Sequence, residues 1–285
     1  MRTERPKGTI RATVDFDAPG KQVGHLQLPQ SEHDDAWGVV PIPVAVIANG
    51  TGPTVLMEGG NHGDEYEGPI TLCELVRELD PGAVKGRLIV VPAVNWPAVA
   101  AARRTSPLDG KNMNRCFPGD PLGTATDQIA AYVNDVLFDL SDAFLDLHSG
   151  GSSLDILPSA ILEGAPDPAH TARNRRAAEA FGTRNVIAID NRGDPRTATS
   201  SAVRAGLTVV GTEMAGAGTV SREALALCRA GVRNVLAHLG VLLGHVVPPR
   251  AEPVRTFTLG PCAHVLSPAQ GVFEPLQALG DMVQA

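Results

Sequence analysis

The sequence predicts an α/β fold, a mixed but largely parallel sheet flanked by helices, and three observations point there. Between residues 54 and 243, short apolar runs alternate with amphipathic stretches of helical length, the pattern of strands buried on both faces and joined by crossover helices. The first 50 residues instead alternate apolar and polar positions, which marks strands with one face in water. With 285 residues, 43% of them hydrophobic and 19% charged, the chain is long enough for a sizeable core and too apolar for disorder.

Residues 9–17 and 24–28 read as peripheral strands, and residues 38–48 as a longer Val/Ile-rich strand ending at the turn Asn49-Gly50, an antiparallel beginning. Strand-like runs follow at 54–57, 87–94, 143–147, 186–189 and 207–211, with helical stretches at 69–79, 127–140, 169–181 and 222–243. Residues 154–157 look strand-like, and residues 165–168 and 190–199 read as loops. Past Pro248-Pro249 come short strand-like pieces at 254–259, 264–266 and 272–275. The division expected is one large α/β unit over residues 1–247, its first 50 residues peripheral strands, and a small, partial all-β unit over 248–285. No internal repeat or low-complexity tract is evident.

Charge and cysteines narrow the function classes. Lys plus Arg number 24 against 31 Asp plus Glu, a net charge of -7, the wrong sign for nucleic acid or an anionic membrane as main partner. Cys73, Cys116, Cys228 and Cys262 are scattered with no Cys-x-x-Cys, so neither a disulfide framework nor a thiolate metal site is indicated, and a reducing cytoplasm fits. The amino-terminal residues lack the apolar core of a signal peptide, and no apolar stretch approaches the roughly 18 residues of a membrane span. The sheet edges expected at both ends leave room for a homo-oligomer.

The densest chemistry lies at Glu58-Gly59-Gly60-Asn61-His62-Gly63-Asp64-Glu65, where a buried strand ends and a helix begins. Ligands bind at the carboxyl ends of strands in open α/β sheets, and a His and a Glu three apart on one turn can converge on one ion. With 8 His and 31 acidic residues among 285, that spacing arises about once by chance, so context must carry it. Residues 143–151 supply His148 at the end of another buried strand, and alternation places Asp146 on the same face, able to accept the imidazole's second N–H. Two His and one Glu form a hydrolytic metal set; the competing reading is a pair of hydrogen-bonded histidines at the core edge. The polar loop 103–119, with Arg103, Arg104, Asn112, Asn114 and Arg115, offers an anion clamp, the competing reading being a solvated loop. Glu213, just past a buried strand and before Gly216 and Gly218, suits a general base or merely a capping acid.

Taken in order, Gly59 through Glu65, Asn114-Arg115, Asp146-Leu147-His148 and Thr212-Glu213 resemble the succinylglutamate desuccinylase/aspartoacylase family of zinc hydrolases, through nearly the whole chain. The resemblance implies the zinc-carboxypeptidase fold and one zinc ion per chain, on His62, Glu65 and His148. It implies Glu213 as the acid/base that activates water and protonates the leaving amine, and Arg104, or Arg103 in its place, as oxyanion stabiliser. Asn114 and Arg115 would hold the substrate carboxylate, and Asp146 would orient a ligand histidine. The substrate implied is a small N-acyl amino acid, most closely an acetylated diaminobutyrate, whose ammonium Asp155 would accept. Aspartoacylase, desuccinylase or carboxypeptidase chemistry shares these motifs, and a non-catalytic metal-containing binder is the reading from a different class. Family members run past the equivalent of Ala285, so the carboxy-terminal β unit is expected to be partial, with metal binding intact and substrate gating altered.

Overall fold

A computed structural model of the chain describes residues 8–31, 33, 35, 37–189, 194–249, 252–258, 266–272 and 274–281. Among them, ten strands form one sheet: β1 (Arg11–Ala12), β2 (Gly20–Pro29), β3 (Val39–Asn49), β4 (Thr54–Gly59), β5 (Gly86–Val91), β6 (Ala143–His148), β7 (Asp155–Glu163), β8 (Asn185–Ile189), β9 (Thr208–Gly216) and β10 (Arg255–Thr258). Their order across the sheet is β1-β2-β3-β5-β4-β6-β9-β7-β8-β10. As expected from the alternating pattern, β1, β2 and β3 pair antiparallel. The block β5-β4-β6-β9 is parallel, and β7 runs antiparallel to β9.

The central strands are apolar because helices cover both of their faces. On one face α1 (Glu67–Glu78), α4 (Pro168–Phe181) and α6 (Arg222–His238) bury Leu72, Phe181 and Val232 against Met57, Leu145 and Val210. On the other, α3 (Ala125–Tyr132), its continuation to Leu137 and α5 (Ala198–Ala205) set Ile129, Val133 and Ala202 against Leu56, Phe144 and Val209. A short helix α2 (Trp96–Ala100) follows β5. The three parallel strands β4, β6 and β9 therefore end side by side, and the chemistry sits at those ends. No helix among the described residues is long and apolar enough to cross a membrane.

Several boundaries differ from the sequence expectation, each with a local cause. Of residues 9–17 only Arg11–Ala12 pair, because Thr13 Oγ1 accepts the His25 N–H and the Gln22 side chain bonds Asp15, replacing ladder bonds. The expected helix 127–140 is an α-helix that widens into one π turn over Val133–Leu137. The helix expected over 222–243 stops at His238, two residues before Gly240 (φ 74°) turns the chain. The loop expected over 190–199 gives way to α5 at Ala198, with Thr197 Oγ1 accepting the Ser200 N–H; residues 190–193 lie outside the described residues. The strand glimpsed at 154–157 extends to Glu163 through a register shift between Ile156 and Ser159, where Pro158 has no N–H to donate. Beyond residue 248, β10 pairs in parallel with β8 at the edge of the main sheet. Residues 259, 264–265 and 273 of the other expected pieces lie outside the described residues.

The contact between α4 and α6 gives a test of packing. Gly231 lies inside α6, and a Cβ there would overlap the ring of the buried Phe181. Helix propensity alone would make Gly231→Ala stabilising by up to about 1 kcal/mol, but overpacking costs about 1–3 kcal/mol. Gly231→Ala is therefore expected to lower stability by about 1–2 kcal/mol in urea unfolding; a gain in stability would refute the close approach.

Candidate active site

Past β4 the chain turns at Gly60, whose φ of 69° favours glycine. The next residues lie flat against the segment after β5: Gly63 N–H donates to Arg103 O at 2.9 Å, and a Cβ on Gly63 would overlap the Ala98 backbone. This wedging puts His62 and Glu65 on one short turn over the strand ends. His148 is the last residue of β6, opposite Glu213 of β9 in register, and Asp146 sits two residues back on the same face. Thr212 Oγ1 accepts the His148 N–H and donates to the His148 carbonyl, both at 3.1 Å, which fixes that strand end.

His62, Glu65 and His148 are buried and bring one potential ligand atom each within 4.8 Å of one another. His62 Nδ1 lies 2.6 Å from Glu65 Oε1, and His148 Nδ1 lies 2.8 Å from Glu65 Oε2. The far sides of the rings assign their tautomers. His62 Nε2 is 3.0 Å from Asn112 Oδ1, which also accepts the Asn114 N–H, so this atom is the oxygen and His62 carries its proton on Nε2. His148 Nε2 is 3.0 Å from Asp146 Oδ2, a close contact without hydrogen-bond alignment that favours the proton on that nitrogen. Both Nδ1 lone pairs consequently face the carboxylate of Glu65, three acceptors around one point, which only a proton or a cation reconciles.

The electrostatics agree. Burial opposes charge on His148, but Asp146 and Glu65 hold its pKa well above the ordinary value. Burial likewise pushes Glu65 up, and His148 and His62 outweigh it and bring its pKa down to about 2. Two imidazoles and a carboxylate, each with its lone pairs aimed inward, fit a zinc ion, and the acceptors behind both rings are the outer partners that metal-bound histidines require.

Around this centre the expected residues fall into two groups. Glu213 is half-buried, its Oε2 has no hydrogen-bond partner among the described residues, and burial raises its pKa to about 8. Arg104 reaches in from the rim, Nη1 3.3 Å from Glu65 Oε1, whereas the Arg103 backbone bonds Gly63 and Ala98 and its side chain is exposed. Asn114, Arg115 and Asp155 do not touch the three central residues. Asn114 Oδ1 accepts the Ala198 N–H at the start of α5, Arg115 is exposed and donates to the Asn114 carbonyl, and Asp155 is exposed at the start of β7.

Three partners escaped the sequence reading. Asn112 lay in view as one polar residue among many; its i to i+2 bond to Asn114 was the available signal. Asp64 Oδ2 accepts the Ser152 N–H at 2.8 Å and its hydroxyl at 2.7 Å, tying the turn after β6 to the turn after β4. Glu58, fully buried on β4, stands beside Asp146.

Comparison with known proteins places this geometry. Residues 51–239 match the succinylglutamate desuccinylase/aspartoacylase catalytic domain. The chain is 44% identical over 280 residues to the N-alpha-acetyl-L-2,4-diaminobutyric acid deacetylase of Halomonas elongata, covering 98% of this chain and 82% of that one. It is similar to the product-bound ectoine utilization protein EutE (DoeB) of Ruegeria pomeroyi, with a TM-score of 0.85 and 41% identity over 90% of this chain and 77% of that one. A succinylglutamate desuccinylase/aspartoacylase from Rhodobacter sphaeroides superposes with a TM-score of 0.88 at 41% identity, covering 95% and 83%.

The role of Asn112 can be measured directly. Asn112→Ala removes the acceptor that fixes the His62 tautomer, and zinc binding is expected to weaken by about 10–100-fold in competition with a chromogenic chelator. The metal-free protein should melt close to wild type; unchanged zinc affinity would show that the tautomer is fixed elsewhere.

Proposed function

The chain belongs to the succinylglutamate desuccinylase/aspartoacylase family, and from that premise we propose that it is a zinc-dependent deacylase of N-acyl amino acids, converting N-α-acetyl-2,4-diaminobutyrate and water to 2,4-diaminobutyrate and acetate in ectoine degradation. The observation that carries the reading is the convergence of His62, Glu65 and His148 on one point, in a chain 44% identical to a deacetylase of that substrate.

The residues divide the work. His62, Glu65 and His148 would hold the ion, which when bound supplies Lewis-acid polarisation of the acyl carbonyl and a water of lowered pKa. Glu213 takes a proton from the attacking water and returns it to the amide nitrogen as the C–N bond breaks, so that the amine leaves neutral and the acyl group leaves as the acid. Among the described residues its Oε2 has no hydrogen-bond partner, which suits that oxygen to a water or a substrate nitrogen. Arg104, poised at Glu65, places a guanidinium near the oxygen on which charge develops. Asn114 and Arg115 at the rim are assigned to the substrate carboxylate, with the Asn114 amide group directed by the bond its oxygen makes to Ala198. Asp155 is assigned to the side-chain ammonium of the substrate. The catalytic unit is taken as residues 1–247, all of these residues preceding Met214, with 248–285 a small β unit. The compartment is taken as the cytoplasm, in keeping with the free Cys73, Cys116 and Cys228.

The test is acetate release from N-α-acetyl-2,4-diaminobutyrate by zinc-loaded and chelator-stripped protein, with N-acetylaspartate and N-succinylglutamate as competitors for the assignment. Turnover is expected to vanish on stripping, to return with zinc, and to favour the diaminobutyrate substrate. Glu213→Gln should keep zinc and lose about 10²–10⁴-fold in turnover, the span of general acid–base catalysis, while Asp155→Asn should raise KM for this substrate alone. Preference for either competitor would reassign the substrate, and zinc-loaded protein inert towards all three would point to a binder.

A further inference from the structure

Glu58 is an anomaly by the standards of its strand. The other residues of β4 are Thr54, Val55, Leu56, Met57 and Gly59, all buried, and Glu58 itself has no exposed surface. A carboxyl group in that position needs a specific partner, since burying an uncompensated one is costly. Across the sheet its neighbours are Val91 on β5 and Asp146 on β6. Asp146 in turn lies between Glu58 and Gly211 of β9, which has no side chain and faces Ile161 of β7. Of the residues that flank Asp146 in the sheet, only Glu58 brings polar atoms.

The hydrogen bonds around the two acids are incomplete in a telling way. Asn61 Nδ2 donates to Glu58 Oε1 at 3.4 Å, and His148 Nε2 stands 3.0 Å from Asp146 Oδ2. Among the described residues, Glu58 Oε2, both oxygens of Asp146 and His148 Nε2 are buried without an aligned hydrogen-bond partner. Glu58 and Asp146 are register partners on adjacent strands, so their side chains stand next to each other on one face of the sheet. Two ionised carboxylates cannot satisfy one another, but one proton between them supplies the missing donor and removes one of two buried like charges.

We propose that Glu58 is a positioning residue: a neutral carboxylic acid that donates its O–H to Asp146, holds the Asp146 carboxylate against the Nε2–H of His148, and through that chain sets how firmly His148 grips a divalent metal ion. The proton is placed on Glu58 because one oxygen of Asp146 already faces the imidazole Nε2, whereas Asn61 donates to Glu58 Oε1 and leaves Oε2 to carry the O–H. Burial and the charge of Asp146 both drive Glu58 towards its neutral form. The chain Asn61, Glu58, Asp146, His148 also links the turn that bears His62 to the strand that bears His148, so the two imidazoles are set by one connected network. This inference rests on the reading of His148 as a metal ligand.

The experiment compares wild type with Glu58→Gln and Glu58→Met on three readouts: zinc dissociation constant by chelator competition, melting of the metal-free protein, and the infrared carbonyl band of a protonated carboxyl group in the zinc-loaded protein. Glu58→Gln keeps a donor for Asp146 and should bind zinc much as wild type does, with the infrared band gone. Glu58→Met fills the space without a donor and should bind zinc about 10–100-fold more weakly, although its metal-free form melts no lower than wild type because a buried acid has been replaced by an apolar side chain. A purely structural role would move melting and leave zinc affinity alone. Wild type that binds zinc, with Glu58→Met binding it equally well or with no band that depends on Glu58, overturns this inference and leaves the metal reading standing. Wild type that binds no zinc overturns both. If Glu58→Met fails to fold, the infrared band and Glu58→Gln still decide.

Discussion

Three hydrogen-bond acceptors aimed at one buried point are the constraint on which the rest of this structure depends. His62 Nδ1, His148 Nδ1 and the Glu65 carboxylate meet there because Asn112 and Asp146 have claimed the other side of each ring. Lone pairs so arranged repel one another, and in a medium of low dielectric the repulsion is large unless a positive charge sits among them. The surrounding structure exists to hold them there in spite of it. Thr212 pins the end of β6, Gly63 is wedged against the backbone after β5, and Asp64 clamps the turn at Ser152. Each removes a freedom by which the acceptors would otherwise move apart.

The sheet makes such a convergence economical in chain. Three adjacent parallel strands, β4, β6 and β9, end together, and each need contribute only one or two residues past its apolar run. Where β9 leaves the site the backbone is strained: Ala215 and Ala217 have φ of 57° and 55°, conformations that cost a non-glycine residue of order 1 kcal/mol each. Hydrogen bonds from Gly150 to Ala215 and from Ala217 to Leu154 hold this turn against the one after β6. The strain thus falls where the segments bearing Glu213 and His148 must stay in fixed relation, the usual place for stored strain in a functional site.

What the sequence made legible divides by the range of the signal. His62, Glu65 and Glu213 sit beside glycines at the ends of apolar runs, and Asp146 and His148 share a strand, so alternation alone gave their common face. Asn112 and Glu58 were not legible, since each acts on a residue that only the fold brings near: Asn112 lies 50 positions from His62, and Glu58 meets Asp146 only through the register of β4 with β6. The same rule explains the fold. Strands with continuous apolar runs are legible, whereas α5, short and interrupted by Thr199, Ser200 and Ser201, overlaps the expected loop at Ala198 and Thr199 and becomes a helix through its packing and its Thr197 cap. Pro158 hid the length of β7 for the same reason, because its bulge is tolerated only in the sheet that surrounds it.

In a chain of net charge -7, a substrate with one carboxylate and one ammonium, as proposed, has to be oriented as it enters, and the arrangement of charge around the site suits that. The carboxyl groups are layered by depth: Glu58 and Asp146 have no exposed surface, Glu65 is buried between the imidazoles, and Glu213 is half-buried beside them. Arg104 and Arg115 lie outermost, one partly and one fully exposed. Charges on the far surface are screened beyond the roughly 8–10 Å Debye length of physiological salt, so an approaching carboxylate senses the near arginines more than the distant acids. Inside, screening is weaker, and a neutral Glu58 lowers the negative charge directly behind His148 by one. The depth order therefore separates two tasks that would conflict at one level, engaging a carboxylate group at the mouth and holding a cation at the floor.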